Sequence, residues 1–261
     1  MQKMGWKPWG WLILLAGIIL PGSAALAACA SLRPVADAQP PTQAIPVERP
    51  TPHNQALLET LQDLNFGKYL ESPFEPEKAG AAQSLPAGWE MYTYPLEELR
   101  CITGGEYFIL ARQGEQADQT VIWLEGGGAC YPGQGSLPGR QDCTQQAQFS
   151  DWIETQGLAS PAQANPVRDW NFVYVPYCDG SLHLGDSQAD YDGDGNVDHW
   201  HWGLKSTSAA VQLAQKLFPA SQKILLAGCS AGDGGTIGIS AVVRLAFPQA
   251  SLYVLNISGS G

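Results

Sequence analysis

The chain has 261 residues, 44% of them hydrophobic and 15% charged, enough to bury the core of one large domain. Its 14 basic residues face 25 acidic ones, and two of the basic residues lie in the first 28, so the remainder carries 12 against 25, a net charge of −13. A surface that acidic repels phosphate backbones and argues against nucleic acid as a partner.

In chain order, Lys3 and Lys7 form a basic head, 9–20 carries no charge, and Pro21-Gly22-Ser23 breaks the run. Leu26-Ala27-Ala28-Cys29 then ends a secretory signal in small residues before a cysteine. The order resembles the bacterial lipoprotein box. On that reading residues 1–28 are a signal peptide, and Cys29 becomes the first mature residue and carries the acyl chains. These would hold the protein durably on the outward face of the bacterial cell membrane. An ordinary signal cut after Ala27 or Ala28, or a retained anchor over 9–30, stays open as an alternative. Residues 29–53 form a tether, because six prolines fall between Arg33 and Pro52 and forbid a helix or central strand. Residues 54–261 form the folded domain.

Leu57, Leu58, Leu61 and Leu64 have helical spacing and predict a helix over 54–64. Strands follow at 107–111, 120–124 and 172–175, then a helix over 204–218 that Pro219 stops. A strand at 223–227, a helix at 236–247 and a strand at 252–257 complete the series. Strands that alternate with helices and are apolar on both faces predict an α/β fold, with a mostly parallel sheet covered by helices on two sides.

Between the strand at 223–227 and the last helix stands Gly228-Cys229-Ser230-Ala231-Gly232. Strand, Gly-x-Ser-x-Gly, helix is the arrangement that presents a nucleophilic serine on a strained turn. Side chains two residues to either side would collide, and the helix N-terminus favours developing negative charge. A plain glycine-rich turn is the bland alternative. Asp233 follows, either as a helix cap or as a ligand. Such a serine needs amide donors around the oxyanion. Ala231 would supply one, and Gly126-Gly127-Gly128 after the strand at 120–124 can crowd bare amides around the same oxygen.

With Cys29 set aside, five cysteines remain, so one is free or pairs elsewhere. Cys229, beside Ser230 on an apolar strand, is expected to be the buried free one. Cys130 and Cys143 bracket a Gly- and Pro-rich loop and suit a short staple, which leaves Cys101 with Cys178.

The segment 190–201 reads Asp-x-Asp-x-Asp-Gly, with Asn at position seven and Asp at nine. That is most of an EF-hand-type calcium loop, with oxygens from Asp190, Asp192, Asp194, Asn196 and Asp198, and Gly195 for the sharp turn. His201 stands where the closing Glu would be, so a structural calcium would bind more weakly. A solvated Asp/Gly turn is the alternative. Zinc on His199 and His201 lacks further ligands.

Taken together, Leu124-Glu125-Gly126-Gly127-Gly128 with Cys130, Val175-Pro176-Tyr177-Cys178 and Gly228-Cys229-Ser230-Ala231-Gly232 resemble the pectin acetylesterase / Notum family of α/β-hydrolase carboxylesterases. The resemblance covers roughly 89–261 and includes Cys101-Ile102-Thr103-Gly104-Gly105 more weakly. It implies Ser230 as nucleophile, an oxyanion hole from the amides of Gly127, Gly128 and Ala231, and disulfides Cys130–Cys143 and Cys101–Cys178. No cofactor is required for the chemistry. Ala129 replaces a large aromatic and Asp233 a glycine. The family's acid and base lie downstream, and no histidine follows Ser230 here. The expectation is therefore an α/β-hydrolase-like domain incomplete at its C-terminus, inactive as it stands. The complete protein would be an exported serine esterase for short acyl (acetyl) esters on carbohydrate or another small ester. The alternative is a non-catalytic calcium-binding surface lipoprotein.

Overall fold

The computed structural model describes residues 52–71, 73–79, 85–128, 130 and 144–257. The leader, Cys29 and nearly all of the tether fall outside them. Helix α1 (Pro52–Asp63) matches the leucine spacing, but its leucines are only partly covered and Leu57 is exposed. A single turn, α2 (Lys68–Glu71), follows.

Strands β1 (Glu77–Ala79), β2 (Trp89–Thr93) and β3 (Phe108–Arg112) form an antiparallel meander. Then come β4 (Gln116–Leu124), the short α3 (Trp152–Thr155), β5 (Trp170–Val175) and a two-stranded ribbon of β6 (Ser187–Ala189) and β7 (His199–His201). Helix α4 (Gly203–Leu217), β8 (Lys223–Cys229), α5 (Ala231–Ala246) and β9 (Ser251–Ile257) close the series.

The seven strands pair in the order β1-β2-β3-β5-β4-β8-β9. The block β5-β4-β8-β9 is parallel, as the doubly apolar strands predict, and β3 joins β5 antiparallel. The chain from β3 to β4 has only three residues, too few for the crossover that parallel neighbours need, so β3 runs the other way.

Successive side chains on a strand face opposite ways. Ile122, Leu124, Val173, Val175, Ile224 and Leu226 pack under α4 and α5. Val121, Trp123, Phe172, Tyr174 and Ala227 meet Ile153 of α3 and Trp89 on the other face. Each such buried aliphatic or aromatic group stabilises the fold by about 1.5–3 kcal/mol over its exposed state. The carboxyl ends of the parallel strands align, with Leu124 opposite both Val175 and Gly228. In open α/β sheets that rim is where ligands bind.

Candidate active site

Ser230 stands between the last residue of β8 and the first of α5, with φ 54° and ψ −112°. A left-handed φ is costly for a non-glycine residue and persists only where the surroundings impose it. Here the amide of Ser230 donates to Ile257 O at 3.1 Å, and its carbonyl accepts from the Asp233 amide at 3.0 Å. A side chain at position 228 would place its Cβ 2.2 Å from Gly232 O, and one at 232 would lie 2.0 Å from Leu124 O. Backbone cannot yield at those distances, so both positions demand glycine. The Ser230 side chain is half-buried, and among the described residues nothing hydrogen-bonds its hydroxyl. It crowns the N-terminus of a 16-residue helix, where partial positive charge favours an anion.

The glycine loop passes beside this turn. A Cβ on Gly126 would lie 2.8 Å from Cys229 O and 3.2 Å from Ser230 Cβ. Gly127 is pressed against the Tyr177 ring, and its carbonyl accepts from the Thr144 amide at 2.9 Å. Gly128 follows with φ 78°. The structure thus brings the stretch holding Gly127 and Gly128 to the elbow that holds Ser230 and Ala231. Glu125 anchors the loop's root. Its amide donates to Val175 O at 3.0 Å, and its carboxylate accepts from the Trp123 indole at 2.9 Å. Burial pushes that carboxyl above its ordinary range, against the pull of the indole N–H.

A third segment, 177–185, walls the site. Cys178 is joined to Cys101 with Cα atoms 5.0 Å apart, as expected. Buried Asp179 accepts from the Ser181 amide at 2.9 Å and from the Ser181 hydroxyl. His183, fully buried, donates through Nε2 to Glu125 O at 2.9 Å, and its ring lies 4.9 Å from that of Tyr177. Burial pushes the imidazole below its ordinary range, partly opposed by Asp179. Sequence reasoning missed His183 and Asp179, since no periodicity or motif spacing distinguishes them.

One expectation needs correction. Cys229 is not free but disulfide-bonded, as is Cys130. Cys143 and Ala129 lie outside the described residues, so the Cys130–Cys143 pairing does too. Asp233 makes no side-chain cap on α5; it is buried, and its Oδ1 has no partner among the described residues.

In the acidic loop, carboxylate oxygens of Asp190, Asp192 and Asp194 lie within 4.8 Å of one another, all exposed. Their oxygens also accept from loop amides, Gly195 N to Asp190 at 2.8 Å and Asn196 N to Asp194 at 2.7 Å. The first of these holds the Asp190 carboxyl below its ordinary range. Asp198 stands apart from the three. Its Oδ1 accepts from His199 Nδ1 at 2.8 Å and from the Tyr191 amide at 3.1 Å. His201 turns inward, donating through Nδ1 to Asp179 O at 2.9 Å and taking the Tyr191 hydroxyl at 2.6 Å. Among the described residues no helix is long and apolar enough to cross a membrane.

A strained serine between parallel strand and helix, with a glycine loop over it, defines an α/β-hydrolase scaffold. Residues 96–261 match the family model described as pectinacetylesterase, and the chain belongs to that family of serine carboxylesterases. Palmitoleoyl-protein carboxylesterase notum2 of Xenopus laevis is 26% identical over 144 residues, which cover 52% of this chain and 27% of the relative. The matched region thus spans about a quarter of that relative's length.

Proposed function

We propose that this chain carries the nucleophile and oxyanion hole of an exported serine carboxylesterase acting on short acyl esters of carbohydrates. The conformation of Ser230, with φ 54° beside Gly126, carries this reading. Ser230 Oγ attacks the ester carbonyl and forms a tetrahedral centre. The amides of Gly127, Gly128 and Ala231 take its negative charge, the alcohol leaves, and water then releases the acid from the acyl-serine. Each donor lost from such a hole costs about 3–4 kcal/mol of transition-state stabilisation.

Among the described residues no histidine hydrogen-bonds Ser230: His183, His199 and His201 are committed to Glu125 O, Asp198 and Asp179 O. We assign the base and its acid to the part of the family's fold that this match does not cover, since it spans only about a quarter of the relative. The family description favours an acetyl group. The net charge of −13 over residues 29–261 (12 basic against 25 acidic) favours a neutral carbohydrate over a polyanion. The test is p-nitrophenyl acetate hydrolysis by the complete protein and by Ser230→Ala, with a loss on the order of 10⁶-fold in kcat expected. Equal rates for both proteins would refute the assignment.

Two accessory features belong to the same reading. Lipid on Cys29 would hold the enzyme at the membrane surface. A clickable fatty acid should label the protein in cells and should not label Cys29→Ser; an unlabelled wild type rejects the anchor. The trio Asp190, Asp192 and Asp194 supplies hard oxygen donors close enough to share one calcium ion that would stiffen the loop. Isothermal titration should give heat at millimolar calcium, and its absence ends the idea.

A further inference from the structure

His183 is a full helix-facing imidazole in a site the fold has cleared for it. A Cβ on Gly235 of α5 would lie 2.7 Å from His183 Cβ, and one on Gly203 of α4 would lie 2.5 Å from its carbonyl carbon. Both helices forgo a side chain where the histidine passes. The turn that delivers it holds two consecutive non-glycine residues at positive φ, Leu182 at 59° and His183 at 61°. Such backbone is sparsely populated and must be imposed by its surroundings. Two bonds impose it, the Leu182 amide to the Tyr177 hydroxyl at 3.1 Å and the Gly185 amide to the Ser181 hydroxyl at 2.9 Å.

All this directs one N–H at one carbonyl. A carbonyl can only accept, so His183 Nε2 carries the proton and donates to Glu125 O at 2.9 Å. Nδ1 is left without a partner among the described residues, as fits a neutral ring. The peptide unit is planar. Fixing the Glu125 carbonyl therefore fixes the direction of the Gly126 amide on the other side of the same plane, the root from which Gly127 and Gly128 continue. The Glu125 amide is already held by Val175 O and its carboxylate by Trp123. The carbonyl is the last polar group of this residue left to fix. Next door, the Tyr177 ring blocks Gly127 from the side. Glycine loops are conformationally permissive, and an oxyanion hole acts only when its amides are aimed in advance.

We infer that His183 is a positioning residue for the oxyanion hole: its Nε2–H clamps the Glu125 carbonyl and so aims the glycine-loop amides at the carbonyl oxygen of a substrate on Ser230. The inference rests on the esterase reading. It makes no use of His183 as a base, since the ring is buried and its donor is spent on the backbone.

The experiment compares the complete wild-type protein with His183→Leu and His183→Gln in p-nitrophenyl acetate hydrolysis, with thermal melts alongside. Leu fills the space and donates nothing, so kcat should fall about 100-fold while KM stays within about twofold. Gln offers an amide N–H near the Nε2 position, and it should recover kcat to within about tenfold of wild type. Ring nitrogen NMR of the wild type should show His183 as the neutral Nε2–H tautomer from pH 5 to 8. A folded His183→Leu protein with unchanged kcat overturns the inference. So does a wild-type ring protonated on Nδ1, which settles the matter even where the Leu variant does not fold. A folded wild-type protein that neither hydrolyses ester nor takes a fluorophosphonate overturns the esterase reading, and the inference falls with it. An active wild type with an indifferent His183→Leu removes the inference alone.

Discussion

Around Ser230 the chain has no spare space, whereas around Asp192 it has little else. Both regions are glycine-rich, yet glycine serves different ends in them. At the elbow, a Cβ on Gly232 would meet Leu124 O at 2.0 Å, so the residue is required by the approach of one backbone to another. In the acidic loop, Gly195 has φ 93° and nothing within 4 Å, so the residue is required only by the turn. The elbow is held by the sheet and by α5. The acidic loop is held by its own carboxylates accepting from its own amides. Conformation imposed by packing suits pre-aimed catalytic groups, and locally bonded conformation suits a loop that an ion could stiffen.

Substitutions can break this contrast, and the largest effect belongs at the elbow. Gly232→Ala must drive the β4 carboxyl end away from α5. We expect a loss of about 3 kcal/mol or more, a melting temperature lower by on the order of 10 °C, and no ester hydrolysis. A variant melting like wild type would show that the close approach is not needed. A middle effect belongs to Glu125, and it depends on pH. Its carboxyl is raised in the fold from an ordinary 4.5. The folded state therefore binds the proton more tightly than the unfolded one, and wild type loses stability as pH climbs from that value through the raised one. Glu125→Gln should match wild type at low pH and melt above it at neutral pH; the reverse order contradicts the burial account. The smallest effect belongs to the acidic loop. Gly195→Ala has room, so it should cost only the left-handed backbone, about 1 kcal/mol or about 2–4 °C. A loss as large as that at Gly232 would abolish the contrast.

What the sequence disclosed follows the same division. Long apolar strands such as Ile224-Leu225-Leu226-Ala227 were legible because burial on both faces leaves a run that only a covered sheet accepts. The elbow was legible because close backbone approach leaves no residue but glycine at 228 and 232. The start of α5 was not legible. Gly232, Gly234 and Gly235 lower helix propensity and suggest a start at Thr236, but the helix begins at Ala231, because tertiary contact with Leu124 and His183 outweighs propensity there. Strands β6 and β7 have three residues each, too short for any period, and exist through their pairing. Cys229 was misjudged because an apolar setting says nothing about whether a cysteine is paired. His183 carries no signal at all until the fold places it against Glu125 O.

The most direct test of the central claim is intact mass spectrometry of the complete, folded protein after exposure to a fluorophosphonate, with the adduct mapped by peptide sequencing. One adduct on Ser230, absent from Ser230→Ala and slowed in His183→Leu, is the predicted outcome. An adduct on a different residue, or none at all, would contradict the claim that this constrained hydroxyl is the nucleophile.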